Sequence, residues 1–136
     1  CLTASPRYFG HSETLQMFQA HGMDTMREKI ESLLKAGRHQ GIAFYREPAL
    51  GITFMNNMHS NALGVGNGMH AVRAGGIRRH GLADEEIDVI VDGLNLARAM
   101  SFKNAAAGIP FGGCKCTVHS EEIPLNDMER LGFLAY

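Results

Sequence analysis

Apolar and polar positions alternate along this chain with two different periods. Met23, Met26, Ile30, Leu33 and Leu34 recur at helical spacing, with Arg27, Glu28, Glu31 and Lys35 on the opposite side. Asp24 or Thr25 can cap that helix, and Gly37 can end it. Residues 41–46 and 50–55 are short, rich in β-branched and aromatic side chains, and separated by Pro48. They predict two strands, arranged as a hairpin. Asn and Gly are dense over residues 56–68, which predicts a loop. The loop holds Gly64-Val-Gly66-Asn-Gly68, but a strand-like segment from Met69 follows where a nucleotide fingerprint needs a helix, so it reads as a turn. Gly75-Gly76 then interrupt that strand and allow a close backbone approach.

The clearest helix is predicted over residues 84–102. Asp84, Glu85 and Glu86 lie in its first turn, and Ile87, Ile90, Val91, Leu94, Ala97 and Met100 form its apolar stripe. Lys103 falls at or just past its end. Residues 109–118 read as a loop running into a strand, and Met128, Leu131 and Leu134 mark a last helix. The order α, β-β, loop-β, α, β, α predicts a layered α/β domain.

A chain of 136 residues forms one domain with a real core. A formal net charge of −1 without a basic block gives no nucleic-acid groove or membrane surface. No apolar run reaches the roughly 18 residues of a spanning helix, and no signal peptide is visible. Cys1, Cys114 and Cys116 are too few for a disulfide framework and read as reduced thiols of a cytoplasmic protein. The chain begins Cys1-Leu2 and ends inside a helix-like pattern, so a fragment of a longer protein is expected.

Two lysines carry the chemistry. They bracket the run Lys103-Asn-Ala-Ala-Ala-Gly-Ile-Pro-Phe-Gly-Gly-Cys-Lys115, which contains no acid. Poor solvation of a lysine in such a setting disfavours its charged form and suits it to act as base, nucleophile or anion clamp. The seven histidines are scattered, without metal-ligand spacing beside an acid. No nucleophile elbow or Ser-His-Asp order is present. Cys114 and Cys116 flank Lys115, but small residues at a strand edge explain them better than catalytic thiols.

The segment from Leu94 through Lys115, with Ala74-Gly75-Gly76-Ile77-Arg78 upstream, resembles the glutamate/leucine/phenylalanine/valine dehydrogenases. It is most similar to their leucine dehydrogenase branch. The resemblance is strong over about residues 69–118 and weak or absent over 1–40. It implies a single layered α/β/α domain with a small mixed sheet over residues 1–136, the dimerisation and substrate-binding part of an NAD(P)-dependent oxidative deaminase. It implies that Lys115 is catalytic and helps activate water. It also implies that Lys103 holds the substrate carboxylate and that Met100, Gly75 and Gly76 line the substrate pocket. The substrates implied are an amino acid, its 2-oxo acid and ammonia, in a homo-oligomer, with NAD or NADP bound by a Rossmann domain beyond Tyr136 and no metal.

Three departures from the family pattern stand out. Cys114 occupies a position where the family usually has Gly or Ala. The approach to Gly75 carries Ala74, where glutamate-specific members resemble Lys-Gly-Gly, so an apolar amino acid is expected. The family's catalytic aspartate would fall after Tyr136. A stand-alone binding or assembly module that kept the fold is the alternative reading, and a Schiff-base lysine enzyme using Lys115 is a third.

Overall fold

A computed structural model describes residues 2–6, 10–60 and 70–135. The strands are β1 (Leu2–Pro6), β2 (Gly41–Glu47), β3 (Ile52–Met58), β4 (His70–Ala74), β5 (Ile77–His80) and β6 (Gly112–His119). The helices are α1 (His11–Ala20), α2 (Arg27–Gly37), α3 (Glu86–Ala106) and α4 (Met128–Ala135). The strands form one mixed sheet in the order β1-β4-β6-β3-β2, with β5 also paired to β6. β6 runs antiparallel to β3 and parallel to both β4 and β5.

Helices α1, α2 and α3 share one face of that sheet. Phe18 of α1 stacks on Phe44 of β2, and Phe44 pairs with Met55 of β3. Ile30 and Leu34 of α2 and Val89, Ile90 and Leu94 of α3 close the same cluster. Burying each such side chain contributes roughly 1.5–3 kcal/mol, so this cluster is the main source of stability. The hairpin β2–β3 forms as its alternating pattern predicts, but its second strand starts later than expected. Residues 48–50 take a tight 3₁₀ turn, and Gly51 sits at φ 63, so β3 begins at Ile52.

The expected loop from Asn56 is corrected over its first three residues. Asn56, Asn57 and Met58 continue β3, paired with Cys116, Lys115 and Cys114. A fully buried Asn is tolerated there because its amide nitrogen finds partners, which residue type alone does not reveal. The Gly64–Gly68 turn lies outside the described residues. Helix α3 also extends past its expected end: Ala105 and Ala106, both strong helix formers, carry it on, and Gly108 at φ 69 follows it. Lys103 therefore stands in the last turn rather than beyond it.

Helix α1 has no counterpart in the apolar pattern. Its buried residues are Thr14 and Phe18, one turn apart. The Thr14 hydroxyl accepts from the Ile42 N–H at 2.8 Å and donates to the Gly10 carbonyl at 2.9 Å. A threonine thus occupies a core position that a hydrophobic count passes over.

Candidate functional site

Lys115 lies in the middle of β6, paired with Asn57 on the neighbouring strand. Both are on the sheet face covered by α3. The Asn57 amide donates to the Lys115 carbonyl at 3.0 Å and to the Thr117 hydroxyl at 3.1 Å. Gly93 of α3 makes this possible, because a Cβ there would lie 2.3 Å from the Asn57 amide nitrogen.

On its other side β6 meets the two glycines. Ala74 pairs with Gly113 and Ile77 with Cys116, one unchanged register, so Gly75 and Gly76 lie opposite Cys114 and Lys115. A Cβ on Gly75 would lie 1.7 Å from the Cys114 carbonyl oxygen. A Cβ on Gly76 would lie 2.8 Å from Lys115 Nζ. The close backbone approach read from the glycine pair is therefore an approach to the Lys115 strand, and it leaves the ammonium against bare backbone.

Helix α3 supplies the opposite wall. Asp92 binds Arg78 of β5 through both oxygens, at 3.2 and 3.1 Å, and takes His80 at 3.0 Å. This flank of the helix therefore faces β5. Leu96, Met100 and Lys103 follow Asp92 along the same flank at spacings of four, four and three residues. Met100 is half-buried and Lys103 is exposed. Among the described residues no carboxylate lies within ion-pair distance of Lys103 or Lys115. Two cations without carboxylate partners, beside a main-chain surface, can take an anionic ligand with little competition.

Cys114 and Cys116 are buried. Burial, then the neighbouring Cys114, pushes the Cys116 thiol up to about 11, which keeps it protonated near neutral pH.

The start of β6 is tied to α3 by polar groups that no local pattern in the sequence singles out. The Ser101 hydroxyl accepts from the Gly113 N–H at 2.9 Å and lies 2.7 Å from His59 Nδ1. His59 Nε2 lies 3.2 Å from the Gly37 carbonyl. An Nε2–H tautomer satisfies all three contacts: Nε2–H donates to Gly37, and the serine hydroxyl donates to Nδ1. Burial lowers the His59 pKa, in keeping with a neutral ring. Asn104 is buried beside this group. A polar residue every third position of a helix normally reads as a solvated face, so only the surrounding small residues hinted at burial.

A separate cleft of about 330 Å³ lies against the β2–β3 turn, lined by Arg46, Thr53, Glu86 and His119 among others. Its arginine is already engaged by Glu86 and by the Thr53 hydroxyl.

This arrangement of sheet and helices is the fold of an amino acid dehydrogenase domain. The crystal structure of L-tryptophan dehydrogenase from Nostoc punctiforme superposes with a TM-score of 0.59 over 74% of this chain and 28% of that one, at 24% identity. The sequence then places the chain within a family: it belongs to the Glu/Leu/Phe/Val dehydrogenases and matches their dimerisation domain over residues 51–133. A valine dehydrogenase of Streptomyces ambofaciens is 37% identical over 82 residues, which cover 60% of this chain and 70% of that one. A valine dehydrogenase of Streptomyces albus is 35% identical over 100 residues, 74% of this chain and 25% of that one. The chain thus spans about a quarter of the length of the Streptomyces albus relative.

Proposed function

We propose that this chain is the substrate-binding and dimerisation part of an NAD(P)-dependent dehydrogenase that converts an apolar L-amino acid reversibly to its 2-oxo acid and ammonia. The observation that carries the reading is the position of Lys115 Nζ against Gly76, with Met100 and Lys103 on the flank of α3 that faces β5. Lys103 binds the substrate α-carboxylate. Lys115 works as the free amine when it accepts a proton from the water that attacks the imino carbon, and as the resulting ammonium it stabilises the carbinolamine. Gly75 and Gly76 let the amino acid lie against main chain, and Met100 forms an apolar wall that adapts to the side chain.

Ala74 supports an apolar substrate, since its methyl group offers nothing to a second carboxylate. The names of the Streptomyces relatives point the same way.

The described residues do not fit the dinucleotide. Each α-helix with a described first turn carries acid there: Glu13 in α1, Glu28 in α2, Glu86 and Asp88 in α3, Glu129 in α4. Acids at these positions repel a pyrophosphate. Hydride transfer is therefore assigned to a cofactor domain outside residues 1–136, and this segment alone is expected to be inactive. The family's dimerisation domain supports a homo-oligomer. Among the described residues no helix is long and apolar enough to cross a membrane, and we place the protein in the cytoplasm.

The test is a substrate panel with the full-length protein. Valine, leucine and phenylalanine should be oxidised with NAD or NADP much faster than glutamate. Preference for glutamate would overturn the substrate assignment, and turnover by residues 1–136 alone would overturn the division of labour.

A further inference from the structure

All five proposed site residues hang from three backbone segments, and one side chain touches all three. Lys103 and Met100 are on α3, Gly75-Gly76 follow Ala74 at the end of β4, and Lys115 follows Gly112-Gly113 on β6. Asn104 lies on the inner side of α3, next to Lys103, and is only 4% exposed. Its amide donates to the Gly112 carbonyl at 3.0 Å and to the Ala74 carbonyl at 3.4 Å. Two strands that run parallel here are thus bridged at their carbonyls by a donor from the helix above. Next to it, Gly113 admits no side chain, because a Cβ would lie 2.2 Å from the Ala97 carbonyl oxygen and 2.3 Å from the Ser101 nitrogen. Ser101 holds the Gly113 N–H from the same helix.

From this geometry we infer that Asn104 is a positioning residue that sets the distance and angle between the carboxylate-binding and proton-transferring lysines. It touches no substrate. It acts by holding the last turn of α3 over the point where β4 and β6 meet, three residues before Lys115 and one before Gly75. The side-chain amide carries two N–H donors on one nitrogen and can therefore serve both carbonyl oxygens at once. An aspartate of the same shape would aim oxygen at oxygen. The inference rests on the roles proposed above for Lys103 and Lys115.

Asn104→Asp and Asn104→Ala in the full-length protein test it, with kcat and KM for valine measured per folded protein across pH. Loss of lysine alignment should lower kcat/KM roughly tenfold to a hundredfold in both variants. A carboxyl buried against carbonyl oxygens is pushed toward its protonated form, and protonation restores one donor. The Asn104→Asp deficit, taken against wild type at each pH, should therefore shrink severalfold between about pH 8 and pH 6. The Asn104→Ala deficit should stay constant. A lower melting temperature with unchanged kcat and KM in both variants, or equal pH dependence of the two deficits, would overturn the inference. If Asn104→Asp does not fold, the Asn104→Ala kinetics decide. Amide exchange separates this idea from the functional proposal. The Cys116 N–H, bonded to the Gly76 carbonyl at 2.9 Å, should exchange at least about tenfold faster in Asn104→Ala than in wild type. If wild type oxidises no amino acid, the functional proposal fails, and this exchange rate alone upholds or sinks the staple.

Discussion

Gly76→Ala separates stability from chemistry at this site. The φ of Gly76 lies outside the left-handed range, so alanine meets no backbone strain there. Among the described residues, its own chain neighbours aside, its new Cβ would have only Lys115 Nζ at 2.8 Å and Lys115 Cε at 3.9 Å within 4 Å. An ordinary contact is about 3.5 Å, so the ammonium must retreat by roughly 0.7 Å. The end of a lysine side chain can do so at little cost. Alanine also narrows the unfolded ensemble, which stabilises by about 0.4–1 kcal/mol. Thermal unfolding should therefore show Gly76→Ala as stable as wild type or slightly more so. A displacement of that size at a proton-transferring group costs roughly tenfold to a hundredfold in rate. Steady-state oxidation of valine by the full-length variant should show that loss in kcat/KM. Gly75→Ala is the internal contrast, because its Cβ would meet the Cys114 carbonyl oxygen at 1.7 Å, and backbone cannot swing aside. It should lose stability as well as activity. A Gly76→Ala protein that unfolds like Gly75→Ala, or that keeps full activity, would refute the reasoning.

Three further outcomes follow from the packing. Gly113→Ala pushes a methyl group into the α3 backbone at 2.2 Å from the Ala97 carbonyl oxygen, and denaturant unfolding should show a loss of about 3 kcal/mol or more. A loss under 1 kcal/mol, on the same scale, would contradict the close α3–β6 contact. Thr14→Val keeps the shape but strands the buried Ile42 N–H, and should cost roughly 1–3 kcal/mol in the same assay; a neutral result would mean the amide has another partner. Burial, with His59, Arg98 and His11 nearby, pushes His39 down from 6.5 to about 4. The unfolded chain then protonates first, so this contribution is complete above about pH 6.5 and is lost as pH falls toward 4. The loss approaches about 3 kcal/mol, and His39→Gln should flatten that part of the stability profile. An unchanged slope in the variant would remove His39 as the cause.

Much of this fold is legible because it is built from strongly patterned elements. The stripe of Ile87, Ile90, Leu94 and Ala97 announces α3, and the alternation around Pro48 announces β2 and β3. The site lysines stand out because no acid separates them, and the two glycines because they interrupt a strand. What escaped is polar and buried. Thr14 holds α1 to β2 through its hydroxyl, Asn57 extends β3 where asparagine suggests a loop, and Asn104 and Ser101 pin α3 to β6. The value of such residues lies in partners distant in sequence: Asn104 reaches Ala74, Asn57 reaches Lys115, His59 reaches Ser101. No local pattern encodes those pairings, and each residue type alone favours the surface. The later end of α3 has a simpler reason. Ala105 and Ala106, strong helix formers, prolong the helix beyond the apolar stripe.

The central claim is that Lys103 and Lys115 divide binding from proton transfer. Steady-state kinetics of Lys103→Ala and Lys115→Ala in the full-length protein, with valine and NAD or NADP, test it most directly. Lys115→Ala should lower kcat by roughly a hundredfold to ten-thousandfold, the usual contribution of general acid–base catalysis. Lys103→Ala should act mainly through a raised KM for valine. If the two variants show the same change in the same parameter, or if Lys115→Ala keeps its kcat, the division of roles is wrong.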